Sequence, residues 1–441
     1  MTAANVMLWG TKIGSVVFDD RRNVGVFEYD EAFRKSGIEV SPIVMPLSDR
    51  VYEFPALRPE SFHGLPGLLS DSLPDKFGNA VINGWLQSQG RSPESFNPVE
   101  RLCYTGTRGM GALEYVPAIG PEQKEGSSIE VSRLVELAST VLQMRKGVHA
   151  TLGTDSLEDI IKVGSSAGGA RAKAVIAWNE ETGDIRSGQV PAEEGYGYWL
   201  IKLDGVKSNG DKDGDDPPRF TRIEYAYHLM ATRCGISMTR CRLLEENGLA
   251  HFLTHRFDRD ARTGDKIHMQ TLGALAHFDF NSSGAYGYED AARIMRKLGL
   301  PYSDTVQFFR RMVFNVLAWN YDDHVKNISF LMDRNGKWSL SPAYDMTYSY
   351  NPEGTWAKSH QMTVNGKQNG IGLKDLIVSG AKMGIREHKV RSVVSDVLSG
   401  ISGWSGFAEE AGLSDQISNA IEIKLKESGN RMRRELDGDD S

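Results

Sequence analysis

In "WNYDDHVKNISFLMD", residues 319–333, Asp322 and Asn327 stand five positions apart, directly after the apolar run "MVFNVLAW". Asp-x-x-x-x-Asn is the spacing by which a kinase catalytic loop sets a carboxylate against a hydroxyl and an amide against magnesium; a second acid arrives from a later strand. Asp345 can be that acid: it lies in "WSLSPAYDMTYSY", beyond the turn "DRNGK" at 333–337. The spacing alone also fits a polar loop whose Asp and Asn cap backbone groups. The second acid is what favours chemistry.

Phosphoryl transfer further requires a cation for the phosphates and a backbone cradle around them. Lys202 in "YWLIKLDG" sits on an apolar strand where a surface lysine is out of place, although an edge-strand lysine can snorkel to water. Glu224, at the opening of the next amphipathic pattern, can hold that lysine, but any helix start also favours an acid. In "VGSSAGGARAK", 163–173, Gly168 and Gly169 permit close backbone approach, Ser165 and Ser166 offer hydroxyls, and Arg171 and Lys173 add positive charge. It is not a P-loop, because Ala170 follows Gly169 where a lysine is required.

The elements that must position these groups are legible as patterns. "VMLWGTKIGSVVFDDRRNVGVFEYD" alternates apolar and polar residues around turn formers, predicting short antiparallel strands. "LSDSLPDKFGNAVINGWLQSQGR" carries Phe77, Val81, Ile82 and Trp85 on one helical stripe with Gly90 beyond its end. "RAKAVIAW" and "GYWLIKL" read as strands paired around the turn "NEETGD", and "CRLLEENGLAHFLTHRFDR" as a hairpin turning at "ENG". Helical periodicity dominates "SSIEVSRLVELASTVLQMR", "RIEYAYHLMATRCGI" and most of the chain from "YEDAARIMRKLGL" onward. "PAIGPEQKEGSS", 117–128, is the predicted linker, giving an N-terminal subdomain at 1–120 and a larger catalytic domain at 126–441.

A length of 441 residues accommodates two domains, and 40% hydrophobic with 25% charged residues is the balance of a globular protein folded throughout. The net charge of -7 argues against a general nucleic-acid coat. Cys103, Cys234 and Cys241 form neither a C-x-x-C pair nor a disulfide framework, so they are read as buried thiols of a reducing compartment. No signal peptide or membrane span is evident, and a cytoplasmic location with no membrane partner is expected. The alternate acids of "NGDKDGDDPP" lack the glycine and glutamate of a calcium loop. "GTRGMG" is read as a turn between helix and strand, and the basic C-terminal helix as a solvated face.

Five motifs in order, "SAGGARAK", "WLIKL", "HRFDR", "NYDDHVKN" and "SPAYD", make the chain resemble the HipA family of bacterial toxin serine/threonine kinases along its whole length. The resemblance implies an α+β, protein-kinase-like fold with a small N-terminal subdomain and a mostly helical C-terminal lobe. It implies Asp322 as catalytic base, Asn327 and Asp345 as magnesium ligands, and ATP as phosphoryl donor. Nucleotide contacts are implied for Gly168, Gly169, Ala170, Arg171, Ala172, Lys173, Lys202, His255, Arg256, Phe257, His324, Lys326, Asn327 and Tyr344. Glu224 would complete a structural ion pair, and Ser166, or its neighbour Ser165, would be autophosphorylated, ejecting the glycine-rich loop.

Two positions depart from the family's best-known member. His255 replaces an acid, so contacts there would run through backbone groups, and Asp323 replaces a glycine and is read as a bystander. The implied partners are a HipB-like helix-turn-helix antitoxin, DNA through that antitoxin, and a protein substrate such as an aminoacyl-tRNA synthetase. Two alternatives share the same motifs: a nucleotide-binding pseudokinase acting as corepressor, and a kinase for a small molecule.

Overall fold

The computed structural model describes residues 2–119, 128–145, 171–189, 193–206, 210–211, 214–215 and 219–438. Its chain divides into two compact units: Met1–Asp216 with Leu244–His277 and Leu331–Lys337, and Pro217–Leu243 with Phe278–Phe330 and Trp338–Ser441. The expected linker falls largely outside the described residues, as does most of the glycine-rich stretch, including Ser165, Ser166, Gly168, Gly169 and Ala170.

The first unit opens with the predicted strands: β1 (Thr2–Leu8), β2 (Thr11–Asp19), β3 (Val24–Tyr29), β4 (Val51–Tyr52) and β5 (Leu113–Val116) form an antiparallel sheet in the order β4-β3-β2-β1-β5. The β1–β2 turn rests on Trp9 and Gly10, both at positive φ (50° and 80°), which matches the right-handed twist of the strands it joins. Helix Lys76–Ser88 starts at Asp75, whose side chain accepts from the Gly78 N–H at 2.6 Å, and buries Phe77, Val81 and Ile82 as its stripe requires. "GTRGMG" is indeed the turn between helix Pro98–Thr105 and β5.

A second sheet contains β6 (Lys173–Trp178), β7 (Ile185–Ser187), β8 (Gly197–Lys202), β11 (Cys241–Glu246) and β12 (Leu249–His255) in the order β11-β12-β8-β6-β7; β9 (Gly210–Asp211) and β10 (Gly214–Asp215) make a separate short hairpin. β6 pairs with β8, as expected, but the "NEETGD" turn leads from β6 into β7, a strand too short to leave a periodic signal. The β11–β12 turn uses Asn247 and Gly248 at φ 52° and 79°. Ala174, Ile176, Trp199, Ile201 and Leu253 point to one face and join Phe77, Val81, Leu134 and Leu142 in a single hydrophobic core. Alternation then sends Lys173, Lys202 and Phe252 to the other face, where Lys202 is the register partner of both.

The second unit is mainly helical: Phe220–Arg233, Tyr288–Lys297, Tyr302–Leu317, Leu373–Lys382, Glu387–Ile401, Trp404–Glu410 and Asp415–Asp437. Helix Tyr302–Leu317 carries the apolar run that precedes the candidate loop, burying Phe308, Phe309, Met312, Val313 and Phe314. It ends where Trp319 takes a left-handed conformation, φ 55°, with its indole N–H donating to the Lys424 carbonyl at 2.7 Å. All three cysteines are buried thiols. Among the described residues no helix is long and apolar enough to cross a membrane.

Asp258 anchors the end of β12. Its fully buried carboxylate takes Arg256 Nε at 2.9 Å and Nη2 at 2.6 Å, Arg259 Nη1 at 2.9 Å and the Gly111 N–H at 2.7 Å. Burial alone would raise its pKa, but the two guanidinium charges outweigh it and hold the group well below the usual carboxylate range. Replacing Asp258 with Asn strands two buried guanidinium groups and is expected to cost about 3–5 kcal/mol in urea denaturation. Because the folded pKa is depressed, that stabilisation is present above the unfolded value, about 3.9, and is lost as pH falls through the folded one. The gap between wild type and Asp258→Asn is therefore expected to stay flat from about pH 8 to 5 and to narrow only in stronger acid.

Candidate active site

From Tyr321 onward the loop alternates. Tyr321, Asp323 and Val325 are buried, whereas Asp322, His324 and Lys326 are half-buried, so the two adjacent carboxylates point to opposite sides. The Asp322 side chain is 29% exposed and that of Asp323 1% exposed. Asn327 closes the loop: its Nδ2 donates to the Asp322 carbonyl at 2.8 Å, which turns its amide oxygen the other way. Asn327 and Asp345 line one small cavity with His324, Tyr344, Asp323 and Asn315.

Asp322 accepts the Trp356 indole N–H on Oδ1 at 2.6 Å, a charge-assisted contact that fixes the carboxylate's plane. Its backbone N–H donates to Ser349 Oγ at 3.0 Å. His324 takes the Lys326 N–H on Nδ1 at 3.2 Å, which leaves the proton of the neutral ring on Nε2, 3.8 Å from Asp322 Oδ1.

Asp323 holds the loop from inside. Tyr288 donates to its Oδ2 at 2.8 Å, the Gln361 N–H to its Oδ1 at 2.7 Å, and His360 Nδ1 lies 3.0 Å from Oδ2. The chain of bonds continues from Asn315 Nδ2 to the Tyr288 hydroxyl, from Asn320 Nδ2 to Asn315 Oδ1, and from Ser349 Oγ to Asn320 Oδ1, each at 2.9–3.0 Å. It thus returns to the residue that takes the Asp322 N–H. Asp323 is more than a bystander, and the burial of Tyr321 and Val325 on its side of the loop is the pattern that marks it.

Asp345 adopts the left-handed conformation, φ 56°, which costs a non-glycine residue about 1 kcal/mol and is commonest at functional turns. Its neighbours secure it. The Ala343 N–H donates to the Ser237 carbonyl at 2.8 Å, and the Tyr344 hydroxyl donates to the Lys326 carbonyl at 2.7 Å. "SPAYD" is therefore tied to the loop that bears Asn327, although only Trp338–Leu340 of the expected strand-like run is a strand.

In the first unit Lys202 and Lys173 are 6% and 3% exposed, and Lys173 Nζ lies 3.3 Å from Asp75 Oδ2. Ala172 is buried and Arg171 half-buried ahead of β6. The His255 ring packs edge-on to Trp199 with centroids 5.1 Å apart, and Phe257 is half-buried. The Arg256 guanidinium is committed to Asp258, so a nucleotide at this strand would meet backbone. Glu224 belongs to the second unit, where it is 2% exposed. Its helix starts four residues earlier, at Phe220, so the preference of helix starts for acids does not explain it. Sequence reasoning missed Trp356, Tyr288, His360 and Asp75.

The model for the HipA N-terminal domain matches residues 4–116, and that for the HipA-like C-terminal domain matches residues 165–404, more than half of the chain. The chain belongs to the HipA family. Two relatives from Sinorhizobium fredii are named "Putative kinase Y4dM" and "Putative kinase Y4mE". They are 28% identical over 181 residues and 25% over 137, stretches that cover 36% and 29% of this chain but only 39% and 32% of those relatives. Among solved structures, the HipA of Shewanella oneidensis, determined with HipB and operator DNA, superposes with a TM-score of 0.66 over 98% of this chain and 97% of that one, at 15% identity. The fold is that of HipA: α+β and kinase-like.

The contrast between the adjacent acids is measurable. Asp323→Ala leaves three buried donors without their acceptor and is expected to lower stability by about 3 kcal/mol or more. Asp322→Ala removes a half-exposed carboxylate together with its contact to the Trp356 N–H and is expected to cost about 1 kcal/mol or less. Urea denaturation of both variants checks this.

Proposed function

We propose that the protein is an ATP- and Mg2+-dependent serine/threonine protein kinase, the toxin of a pair whose restraint is a helix-turn-helix antitoxin of the HipB type. The observation that carries the reading is the loop geometry: Asn327 bonded to the Asp322 carbonyl, and the left-handed Asp345 lining the same cavity as Asn327.

The donor set fits magnesium. An amide oxygen and a carboxylate are hard ligands, and among the described residues no cluster of three or more His, Cys, Asp or Glu is gathered as a metal cage. Magnesium is commonly held by one or two protein oxygens together with substrate phosphates. When bound it would neutralise charge on the phosphoryl oxygens being transferred.

The chain's own residues supply the rest. The Asp322 carboxylate accepts the proton of the acceptor hydroxyl, held in plane by the Trp356 N–H. Lys202 and Lys173 would serve the phosphates, with the cradle that the family resemblance implies for the glycine-rich stretch at 163–173. A phosphate on Ser166 or Ser165 would bring nearly two negative charges to that cradle and exclude ATP. For the target, the family resemblance favours a protein such as an aminoacyl-tRNA synthetase, with DNA reached through the antitoxin. The solved HipA–HipB–operator complex supports that pairing.

Incubation with γ-labelled ATP, magnesium and cell lysate tests the reading. The wild type is expected to label itself at Ser166 or Ser165 and to label a protein band, and Asp322→Ala to lower transfer about 10²–10⁴-fold while staying folded. Undiminished labelling by Asp322→Ala rejects Asp322 as the base. ATP binding with no transfer by the wild type favours a corepressor, and a labelled metabolite a small-molecule kinase.

A further inference from the structure

The register of the second sheet creates an electrostatic conflict. Lys173 opens β6 and Lys202 closes β8, and they are direct partners across the antiparallel ladder, so their side chains leave the sheet on the same face. Both are buried, at 3% and 6% exposure. Like charges directly opposite one another are destabilising, and buried ammonium groups need a counter-charge.

Part of the counter-charge comes from far back in the sequence. Asp75, the cap of helix Lys76–Ser88, reaches Lys173 at 3.3 Å, with side-chain exposures of 4% for the lysine and 2% for the acid. Asp75 is itself fixed, since it accepts from the Gly78 N–H at 2.6 Å. Its helix is also rigidly seated, because Phe77, Val81 and Ile82 share one core with Ala174, Ile176 and Ile201 of β6 and β8. Burial pushes the Asp75 carboxyl up to about 6 despite the lysine, as expected of a group held in a dry site chiefly by its partner.

We propose that Asp75 is a positioning residue of the nucleotide site: through its ion pair it holds the Lys173 ammonium opposite Lys202, so that both present to the phosphates of ATP. The region matched to the HipA N-terminal domain is then a working part of the phosphate site, not an appendage to it. This inference rests on the kinase reading, which assigns the two lysines to the nucleotide.

A double-mutant cycle on the full-length protein tests it, with Mg·ATP binding measured by titration calorimetry and unfolding measured alongside. Asp75→Asn is expected to weaken ATP binding about 10-fold, and Lys173→Met to weaken it by at least as much. If Asp75 acts through Lys173, adding Asp75→Asn to Lys173→Met changes affinity by less than about 2-fold. The double variant removes both buried charges, so it is expected to fold even if Asp75→Asn alone is marginal. Equal losses from Asp75→Asn in both backgrounds, or wild-type affinity in Asp75→Asn, overturn the inference and leave the kinase reading standing. Failure of the wild type to bind Mg·ATP overturns both.

Discussion

The geometry of the candidate site depends on burying one carboxylate. Asp323 lies almost wholly out of water, and an ionised carboxylate there is tolerable only if charge-assisted hydrogen bonds replace its hydration. Those bonds come from Tyr288 on one stretch of the helical unit and from the adjacent His360 and Gln361 on another. Satisfying Asp323 therefore fixes the loop against two distant stretches at once. By strand-like alternation its neighbour Asp322 faces the other way, toward the half-exposed side. The network then runs through Asn315, Asn320 and Ser349 back to the Asp322 backbone. The proposed base is thus positioned through its buried neighbour.

The same logic extends to the second acid. A left-handed Asp345 carries backbone strain, and such strain persists only where the surroundings over-determine it. Here the surroundings are Ala343 bonded to Ser237 and Tyr344 bonded to the Lys326 carbonyl. The latter bond links Asp345's segment to Asn327's loop within a few residues of each. In the first unit a comparable constraint acts through charge: Arg256, Asp258 and Arg259 form a buried knot that ties the end of β12 to the turn at Gly111.

Much of this was legible in the sequence. Local periodicity and turn chemistry were enough for β1, β2 and β3, for the Asn247–Gly248 hairpin and for the long helices, because those signals lie within a dozen neighbouring residues. Motif spacing singled out Asp322, Asn327 and Asp345, and all five motifs fall within the span matched to the HipA-like C-terminal domain. What stayed hidden was the choice of distant partners. Nothing near Asp75 indicates a lysine almost a hundred residues away, and nothing near Trp356 indicates that its indole meets Asp322. β7 was missed for a different reason: three residues carry no period. Asp323, a bystander by its spacing, was legible as a buried residue, since Tyr321 and Val325 mark its side of the loop as the buried one.

The central claim is that Asn327 and Asp345 share one divalent ion beside bound nucleotide. Crystals grown with a non-hydrolysable ATP analogue and Mn2+ in place of magnesium allow the ion to be located by its anomalous scattering. The account requires a peak within about 2.5 Å of both the Asn327 amide oxygen and an Asp345 carboxylate oxygen, with phosphate oxygens completing the shell. A peak bound elsewhere, or nucleotide density with those two side chains too far apart to reach a common ion, would contradict it.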